Sequence, residues 1–129
     1  MAQPARKILT DIDELAAVAF EVATALHGKR GEQIALLRVR ELLPIASYFV
    51  VVSAQSARAG QTLAEEAERV LDRHRLPRLG VHGLTEGRWI CLDFAEIVVH
   101  IFDRDSRRYY DLENLWSGAP RIPFVPPAE

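Results

Sequence analysis

The stretch from residue 89 to residue 116, WICLDFAEIVVHIFDRDSRRYYDLENLW, decides the fold that this sequence predicts. It begins with two apolar runs, residues 89–94 and 97–102, which only two residues separate. Short runs rich in β-branched and aromatic residues around a tight turn are typical of a β-hairpin. A charged segment, residues 103–108, follows, and the stretch ends with tyrosines, leucines and a tryptophan. Amphipathic aromatics gathered in this way are typical of a protein-binding surface, because they offer large contact area at little cost in rotamer entropy.

Alternation in the first run assigns its side chains to the two faces of a strand. One face, which we expect to join the core, carries only apolar side chains: Ile90, Leu92 and Phe94. The other face carries Trp89, Cys91 and Asp93, and this mixture of an aromatic and a carboxylate favours a rim or a binding face. Trp89 follows a polar turn, so we expect it to be exposed rather than part of the core.

Helical periodicity predicts two helices before the hairpin. The first covers residues 11–28, where Asp11 and Glu14 have the spacing of a capping box and Gly28 suits the left-handed residue that ends a helix. The second begins after Ser56, a plausible cap, and ends near residue 75. Its apolar stripe consists of Leu63, Ala67, Val70 and Leu71.

Further strands are predicted at residues 34–39, 48–52 and 79–83. The run 48–52 has no polar alternation, so we expect it to lie centrally in the sheet with both faces buried. The resulting class is α+β, with a mixed sheet of about five strands and helices packed on it. We expect residues 1–9 to be a flexible leader, residues 10–117 a single domain, and residues 118–129, which hold four of the seven prolines, a flexible tail.

Composition limits the kind of partner and compartment. A net charge of −2 disfavours binding that is dominated by RNA phosphates, since such binding needs a basic excess. The single cysteine, Cys91, fits a reducing compartment. No apolar run approaches the roughly 20 residues that span a bilayer, and the first residues lack the apolar segment of a signal peptide. We therefore expect a cytoplasmic protein with no membrane contact.

The order of these motifs resembles the ribosomal silencing factor (Iojap-like) family. The residues that carry the resemblance are Trp89, the alternating strand after it, Val-Val-His at 98–100, the charged patch, Tyr-Tyr-Asp-Leu-Glu at 109–113, and Leu115-Trp116. Ser-Tyr-Phe-Val-Val at 47–51 with its Ser-containing loop and helix, and Gly83 ahead of Trp89, agree. The resemblance covers about residues 11–117. One departure is Ser47, where the family commonly has Asp.

The resemblance implies a nucleotidyltransferase-like fold without its catalytic motif. It also implies binding to protein fourteen (uL14) of the large ribosomal subunit, which blocks association with the small subunit and represses translation. No cofactor or turnover is required. The face that we expect to bind the partner consists of Trp89, Asp93, Arg108, Tyr109, Tyr110, Leu115 and Trp116. Because Tyr109 and Tyr110 are consecutive, we expect one to pack on the sheet and the other to face the partner.

Two other readings concern self-association and RNA. A self-associating module, a homodimer when free, is one alternative to the binding protein. Three arginines after the hairpin are read as a solvated face, with a minor contact to ribosomal RNA as the alternative: Arg104, Arg107 and Arg108.

The alternative from another class is a nucleotide-acting enzyme of the same fold. Such an enzyme needs a Gly-Ser phosphate-binding turn and paired carboxylates that hold metal ions. The corresponding turn, residues 53–56, is Ser-Ala-Gln-Ser, and Asp93 and Glu96 form no Asp-x-Asp pair. We therefore predict a protein that is not an enzyme and in which Ser53 and Ser56 serve helix capping.

Histidine and cysteine chemistry is predicted to be structural. The four histidines have no metal-site spacing and there is no second cysteine, so no metal is expected: His27, His74, His82 and His100. His100, inside an apolar strand, is predicted to be a hydrogen-bonded core histidine, and no basic neighbour in sequence activates Cys91.

Overall fold

One six-stranded sheet organises the chain, in the strand order β3-β4-β5-β2-β1-β6. The computed structural model describes residues 12–42 and 46–126. Its elements in chain order are α1 (Ile12–Gly28), β1 (Glu32–Arg38), β2 (Tyr48–Ala54), α2 (Ala57–Arg73), β3 (Gly80–His82), β4 (Trp89–Phe94), β5 (Ile97–Asp103), α3 (Arg104–Tyr110), α4 (Leu112–Leu115) and β6 (Arg121–Ile122). β2 pairs with β5 in parallel and all other pairs are antiparallel, which confirms the predicted mixed sheet and the α+β class.

β2 is the central strand, and all seven of its residues are buried. An unbroken apolar run has no polar face to show to water, so it must be covered on both sides. On one side α1 and α2 cover the sheet, and the largest fully buried residues there include Leu15, Leu26, Leu63, Leu71 and Phe94. This confirms both the predicted core face of β4 and the apolar stripe of α2.

The opposite face of the sheet, called here the second face, has its own smaller core. Phe49, Val51 and Phe102 lie at its centre, and Trp89, Cys91 and Trp116 are partly buried against it. Among the described residues, the helices that pack on this side are the two short ones, α3 and α4, together with the turns that follow them. The second face is therefore thinly covered, and aromatic side chains at its margin stay accessible.

The helix ends follow the sequence signals in one case and depart from them in another. The Ser56 hydroxyl accepts a hydrogen bond from the Ala59 backbone N–H at 3.0 Å, which confirms the predicted cap of α2. After α1 the left-handed residue is Arg30, with φ 70°, whereas Gly28 is still helical. The end of α1 at Gly28 is therefore confirmed, but the prediction that Gly28 is the left-handed residue was wrong. The capping box that begins at Asp11 lies outside the described residues.

β6 lies in the segment that was predicted to be a flexible tail. Arg121 and Ile122 pair with β1, so the sheet has six strands rather than about five. Ala119 is buried, and the Phe124 ring meets Phe20 of α1 edge-on at 5.2 Å. At these residues the chain is held against the sheet and α1, and the prediction of a free tail was wrong there.

Gly83 forms the close turn that delivers the chain to β4. Its φ is +84°, and a Cβ placed on it would lie 2.1 Å from the Trp89 carbonyl oxygen. Gly83→Ala should therefore lower the free energy of unfolding by at least about 2 kcal/mol, because both the backbone conformation and the contact are forbidden to alanine. Thermal or urea unfolding measures this effect. Gly28→Ala is the matched control, since nothing lies within 4 Å of its Cβ position, and equal losses in the two variants would contradict the argument.

Candidate functional site

A continuous row of rings crosses the second face of the sheet. It consists, in spatial order, of Tyr109, Tyr110, Trp89, His100, Phe49 and Trp116, and is called here the aromatic row. Neighbouring ring centroids in this order are 5.0, 4.6, 6.0, 4.6 and 5.9 Å apart. The row is built by β4, β5, β2, α3 and the turn that follows α4, so segments distant in sequence meet in one surface.

The outer members of this surface are largely exposed. Tyr109 is 81% exposed, Leu115 70% and Tyr110 47%. Tyr110 packs beside Trp89 while Tyr109 points into solvent. This is expected because two consecutive side chains on a helix point in different directions. That Tyr109 faces a partner stays a prediction.

Trp89 is half-buried, not freely exposed as the sequence suggested. Its indole ring lies 4.9 Å from the Phe102 ring and 4.6 Å from Tyr110, and its Nε1–H donates to Nδ1 of His100 at 3.1 Å. The indole therefore has one face in the smaller core and its remaining surface at the margin of the second face.

Asp93 is not brought into the aromatic row. It lies four residues from Trp89 on the same strand face, which corresponds to about 13 Å. Its Oδ1 accepts a hydrogen bond from the Ala95 backbone N–H at 3.1 Å, in the turn where Ala95 has φ 62°. Asp93 thus stabilises the hairpin turn between β4 and β5, and sharing a strand face with Trp89 does not place the two side chains together.

Two of the three arginines after the hairpin lie at the surface. Arg104 donates to Glu32 at 2.9 and 2.7 Å, and Arg108 donates to Asp105 at 2.7 Å. Both pairs are solvent-exposed, so water and salt screen them and they add little stability. These residues match the predicted solvated face, with Arg104 at the start of α3 and Arg108 next to Tyr109 in the sequence.

Arg107 was predicted to belong to the same solvated face, and this was wrong. It is 7% exposed, and its guanidinium donates to both carboxylate oxygens of Glu113, at 2.8 and 2.9 Å. It also donates to the Ser53 hydroxyl at 2.8 Å and to the Gln33 carbonyl at 2.7 Å. These hydrogen bonds from Arg107 hold the pKa of Glu113 below its ordinary value. One side chain therefore ties α3 to α4, β1 and β2.

His100 is buried and hydrogen-bonded, as predicted, but only through one nitrogen. Its Nδ1 accepts from Trp89, whereas its Nε2 has no hydrogen-bond partner among the residues that the structure describes. Burial lowers the pKa of His100 to about 4, so the ring is neutral at pH 7. An orphaned buried donor costs about 1–3 kcal/mol, which marks this position as one where stability was not optimised.

The serines and the cysteine have local roles. Ser56 caps α2, and Ser53, which was expected to serve capping, instead accepts from Arg107. Burial, and secondarily the charge of Asp93, raises the pKa of the Cys91 thiol to about 11, so it is a poor nucleophile at neutral pH.

Ion and membrane features are equally sparse in the described part of the chain. Over residues 12–42 and 46–126, no cluster of three metal-ligating side chains occurs. Nor does this part contain a helix with the length and apolar character needed to cross a bilayer.

Ser47 lies in the interior at the start of β2. Its hydroxyl donates to Glu96 at 2.5 Å and accepts from Nε of Arg40 at 3.2 Å. The backbone N–H groups of Ser47 and Tyr48 both donate to the Glu96 carbonyl, at 2.8 and 3.0 Å. Ser47 thus joins β2 to the turn between β4 and β5, which favours a structural role at the strand start over a contact with a partner.

Three features of the site have no clear signal in the sequence. Phe49 joins the aromatic row because alternate residues of β2 face opposite sides of the sheet, and the apolar run that contains it gives no sign of which side it faces. Arg107 and Glu113 are six residues apart on two different helices, which is not a helical contact spacing. The bond between Trp89 and His100 runs diagonally between adjacent strands, because His100 is paired with Cys91, two residues along from Trp89, and it becomes visible only once the strands are paired.

Comparisons with known proteins agree on one family. A family model described as ribosomal silencing factor during starvation matches residues 12–129. The ribosomal silencing factor of Bacillus subtilis is 35% identical over 98 residues, which cover 76% of this chain and 83% of that protein. The corresponding factor of Halalkalibacterium halodurans is 32% identical over 98 residues and 84% of its length. A crystal structure of a Chromobacterium violaceum protein superposes with a TM-score of 0.74 at 28% identity, covering 92% of this chain and 96% of that one.

The buried neutral His100 should make stability depend on pH. Because its pKa is about 4 in the folded protein and near 6.5 when exposed, the unfolded chain binds a proton more readily in this interval. The free energy of unfolding should therefore fall as pH drops from 6.5 to 4, by up to about 3 kcal/mol. Urea unfolding at a series of pH values measures the slope. His100→Phe should make the free energy of unfolding depend less on pH. The pKa of His74 is also lowered by burial, but this contribution is the same in both proteins and does not affect the comparison. Equal slopes would contradict the assignment.

The contact between Ser47 and Glu96 predicts the effect of an aspartate at the start of β2. Ser47→Asp should lower the free energy of unfolding by about 1–3 kcal/mol at pH 7, since it removes a donor and sets two carboxylates side by side. Adding Glu96→Gln should recover most of the loss, because the new carboxylate then faces Arg40 and an amide. A double-mutant cycle of thermal melts, with Glu96→Gln alone as the control, measures the coupling, and purely additive losses would contradict it.

Proposed function

The chain belongs to the ribosomal silencing factor family, and on this premise we propose that it binds the large ribosomal subunit and prevents the small subunit from joining. Translation falls because fewer complete ribosomes form. The observation that carries the proposal is the exposed end of the aromatic row together with Leu115. Steric occupation of the subunit-joining surface suffices, and no reaction is required.

The exposed aromatic side chains have the properties of an interface. Keeping Tyr109, Tyr110 and Leu115 in water forgoes the stabilisation that burial of their apolar area would give. Tyrosine and tryptophan carry much of the energy at protein interfaces, since they combine a large apolar area with a polar tip. The net charge of −2 favours a partner surface that is largely protein.

The partner that we propose is protein fourteen (uL14) of the large subunit. Its contact surface consists of Trp89, Arg108, Tyr109, Tyr110, Leu115 and Trp116. Asp93 is left out, because it serves the hairpin turn. Arg104 and Arg108 lie at the rim, where their exposed guanidinium groups could add a minor contact to ribosomal RNA.

A regulatory rather than enzymatic role agrees with the residues at the turn before α2. In this fold an enzyme would bind phosphate there, but Ser53 is occupied by Arg107 and Ser56 by the helix cap. Asp93 accepts from the turn backbone, and Glu96 accepts from Ser47. We therefore propose an activity that depends only on occupying the subunit-joining surface of the large subunit. The protein would act in the compartment that contains the ribosomes.

Co-sedimentation with separated ribosomal subunits tests the proposed function. We expect the protein to pellet with large subunits and not with free small subunits. Moderate salt should weaken the complex less than it weakens one dominated by phosphate contacts, because few counterions are released. A gradient assay of subunit joining should show fewer complete ribosomes as the protein is added. Equal pelleting with both subunits would refute the proposal.

Two exposed leucines provide a matched pair of variants for the location of the surface. Leu115 is 70% exposed beside the aromatic row, and Leu79 is 65% exposed next to β3. Leu115→Ser should weaken large-subunit binding by about tenfold or more at an unchanged melting temperature, as loss of an interface anchor does. Leu79→Ser should change neither. Equal effects of the two substitutions on binding would show that Leu115 of α4 is not part of the contact surface.

A further inference from the structure

His100 is hydrogen-bonded to Trp89, with ring centroids 6.0 Å apart, and at 6% exposure its side chain is itself buried. We propose that His100 is a positioning residue that fixes the orientation of the Trp89 indole for partner binding. This inference rests on the proposed function, because Trp89 is part of the surface that binds the large subunit.

The hydrogen bond to His100 determines how the indole ring is turned. Nε1–H of Trp89 donates to Nδ1 of His100 at 3.1 Å. The Phe102 ring, 4.9 Å from the indole, offers no acceptor. A ring flipped about its side-chain torsion would keep the apolar contact but lose this bond. The observed orientation places the indole beside Tyr110, with ring centroids 4.6 Å apart and planes inclined by 48°.

The tautomer of His100 follows from this bond. A nitrogen that accepts from an indole N–H carries no hydrogen, so in the neutral ring the hydrogen is on Nε2. Burial keeps the ring neutral at ordinary pH, so the acceptor is always available. Nε2 is itself buried, and no acceptor for it exists in residues 12–42 and 46–126.

The orphaned Nε2–H argues against a purely structural reason for histidine at this position. Phe49 and Phe102 surround it, and a further phenyl ring would fill similar space without a buried unpaired donor. What histidine adds over phenylalanine is the Nδ1 acceptor, and the only group in the described chain that uses it is the Trp89 indole. The geometry therefore indicates that the role of histidine at position 100 is to bind the Trp89 indole N–H rather than to fill the core.

A fixed indole favours binding by lowering the cost of ordering the interface. A large side chain that already holds its bound orientation loses less conformational entropy when the partner arrives. If the indole is no longer held in this orientation, the entropy cost of ordering it on binding corresponds to roughly a three- to tenfold loss of affinity.

Two substitutions of His100 separate positioning from stability. His100→Phe keeps a ring but removes the acceptor, so the indole N–H should exchange rapidly with solvent and affinity for large subunits should fall three- to tenfold. Its melting temperature should be no lower than wild type at pH 7. His100→Asn keeps an acceptor near the Nδ1 position but adds buried amide donors and a cavity. It should melt earlier, while the indole N–H stays protected and affinity stays near wild type wherever the protein is folded.

The measurements are indole N–H exchange by nuclear magnetic resonance, thermal melts and pelleting with large subunits. Trp116→Phe identifies which indole signal belongs to Trp89, and ¹⁵N spectra of the wild type should show His100 neutral with its hydrogen on Nε2. Three results would overturn the proposal: an indole that stays protected in His100→Phe, an indole that is released without loss of affinity, or affinities of the two variants that simply follow their melting temperatures.

Failure of the proposed function is distinguishable from failure of this inference. If the wild-type protein pellets equally with both subunits, the proposed function fails and the binding part of the inference is overturned with it. The exchange data come from the free protein, so they still decide whether His100 fixes the ring.

Discussion

The buried ion pair between Arg107 and Glu113 is the contact on which the second face of the sheet depends. Its guanidinium reaches a carboxylate on α4, a hydroxyl on β2 and a carbonyl on β1. A buried guanidinium that lacked these partners would be strongly destabilising, so the bonds form as a set. Since α3 has seven residues and α4 four, neither helix is stable alone. The positions of Tyr109, Tyr110 and Leu115 therefore depend on a charge that sits almost entirely inside the protein.

Most of the fold could be predicted because its signals are local. The hairpin of β4 and β5, the fully buried β2 and the cap of α2 each follow from short patterns whose physical causes act within a few residues. β6 could not be predicted, since two residues between Pro120 and Pro123 are too few for an alternating pattern. α1 ends at Gly28 as predicted, but the left-handed residue was assigned to Gly28 because glycine usually adopts that conformation, whereas Arg30 adopts it here.

The candidate site was predictable in composition but not in arrangement. Exposed tyrosines after the hairpin follow from two aromatics in succession near a charged segment. Strand parity placed Trp89 and Asp93 on one face but carried no information about the distance between them along the strand. Arg107 was misassigned because its charged neighbours suggested solvent, whereas its partners lie on three other elements. Such long-range pairings are absent from any window of sequence, and they decide which charges are buried.

Both ends of the sheet are closed by very short strands, three residues in β3 and two in β6. A long, flat edge offers a row of unpaired backbone groups to any extended chain, and short edge strands offer few. At the β6 end the prolines on either side of the strand lack backbone N–H groups altogether. The consequence is resistance to edge-to-edge aggregation. The exposed aromatic side chains favour association, but the sheet presents few unpaired backbone groups to which further copies could add as strands.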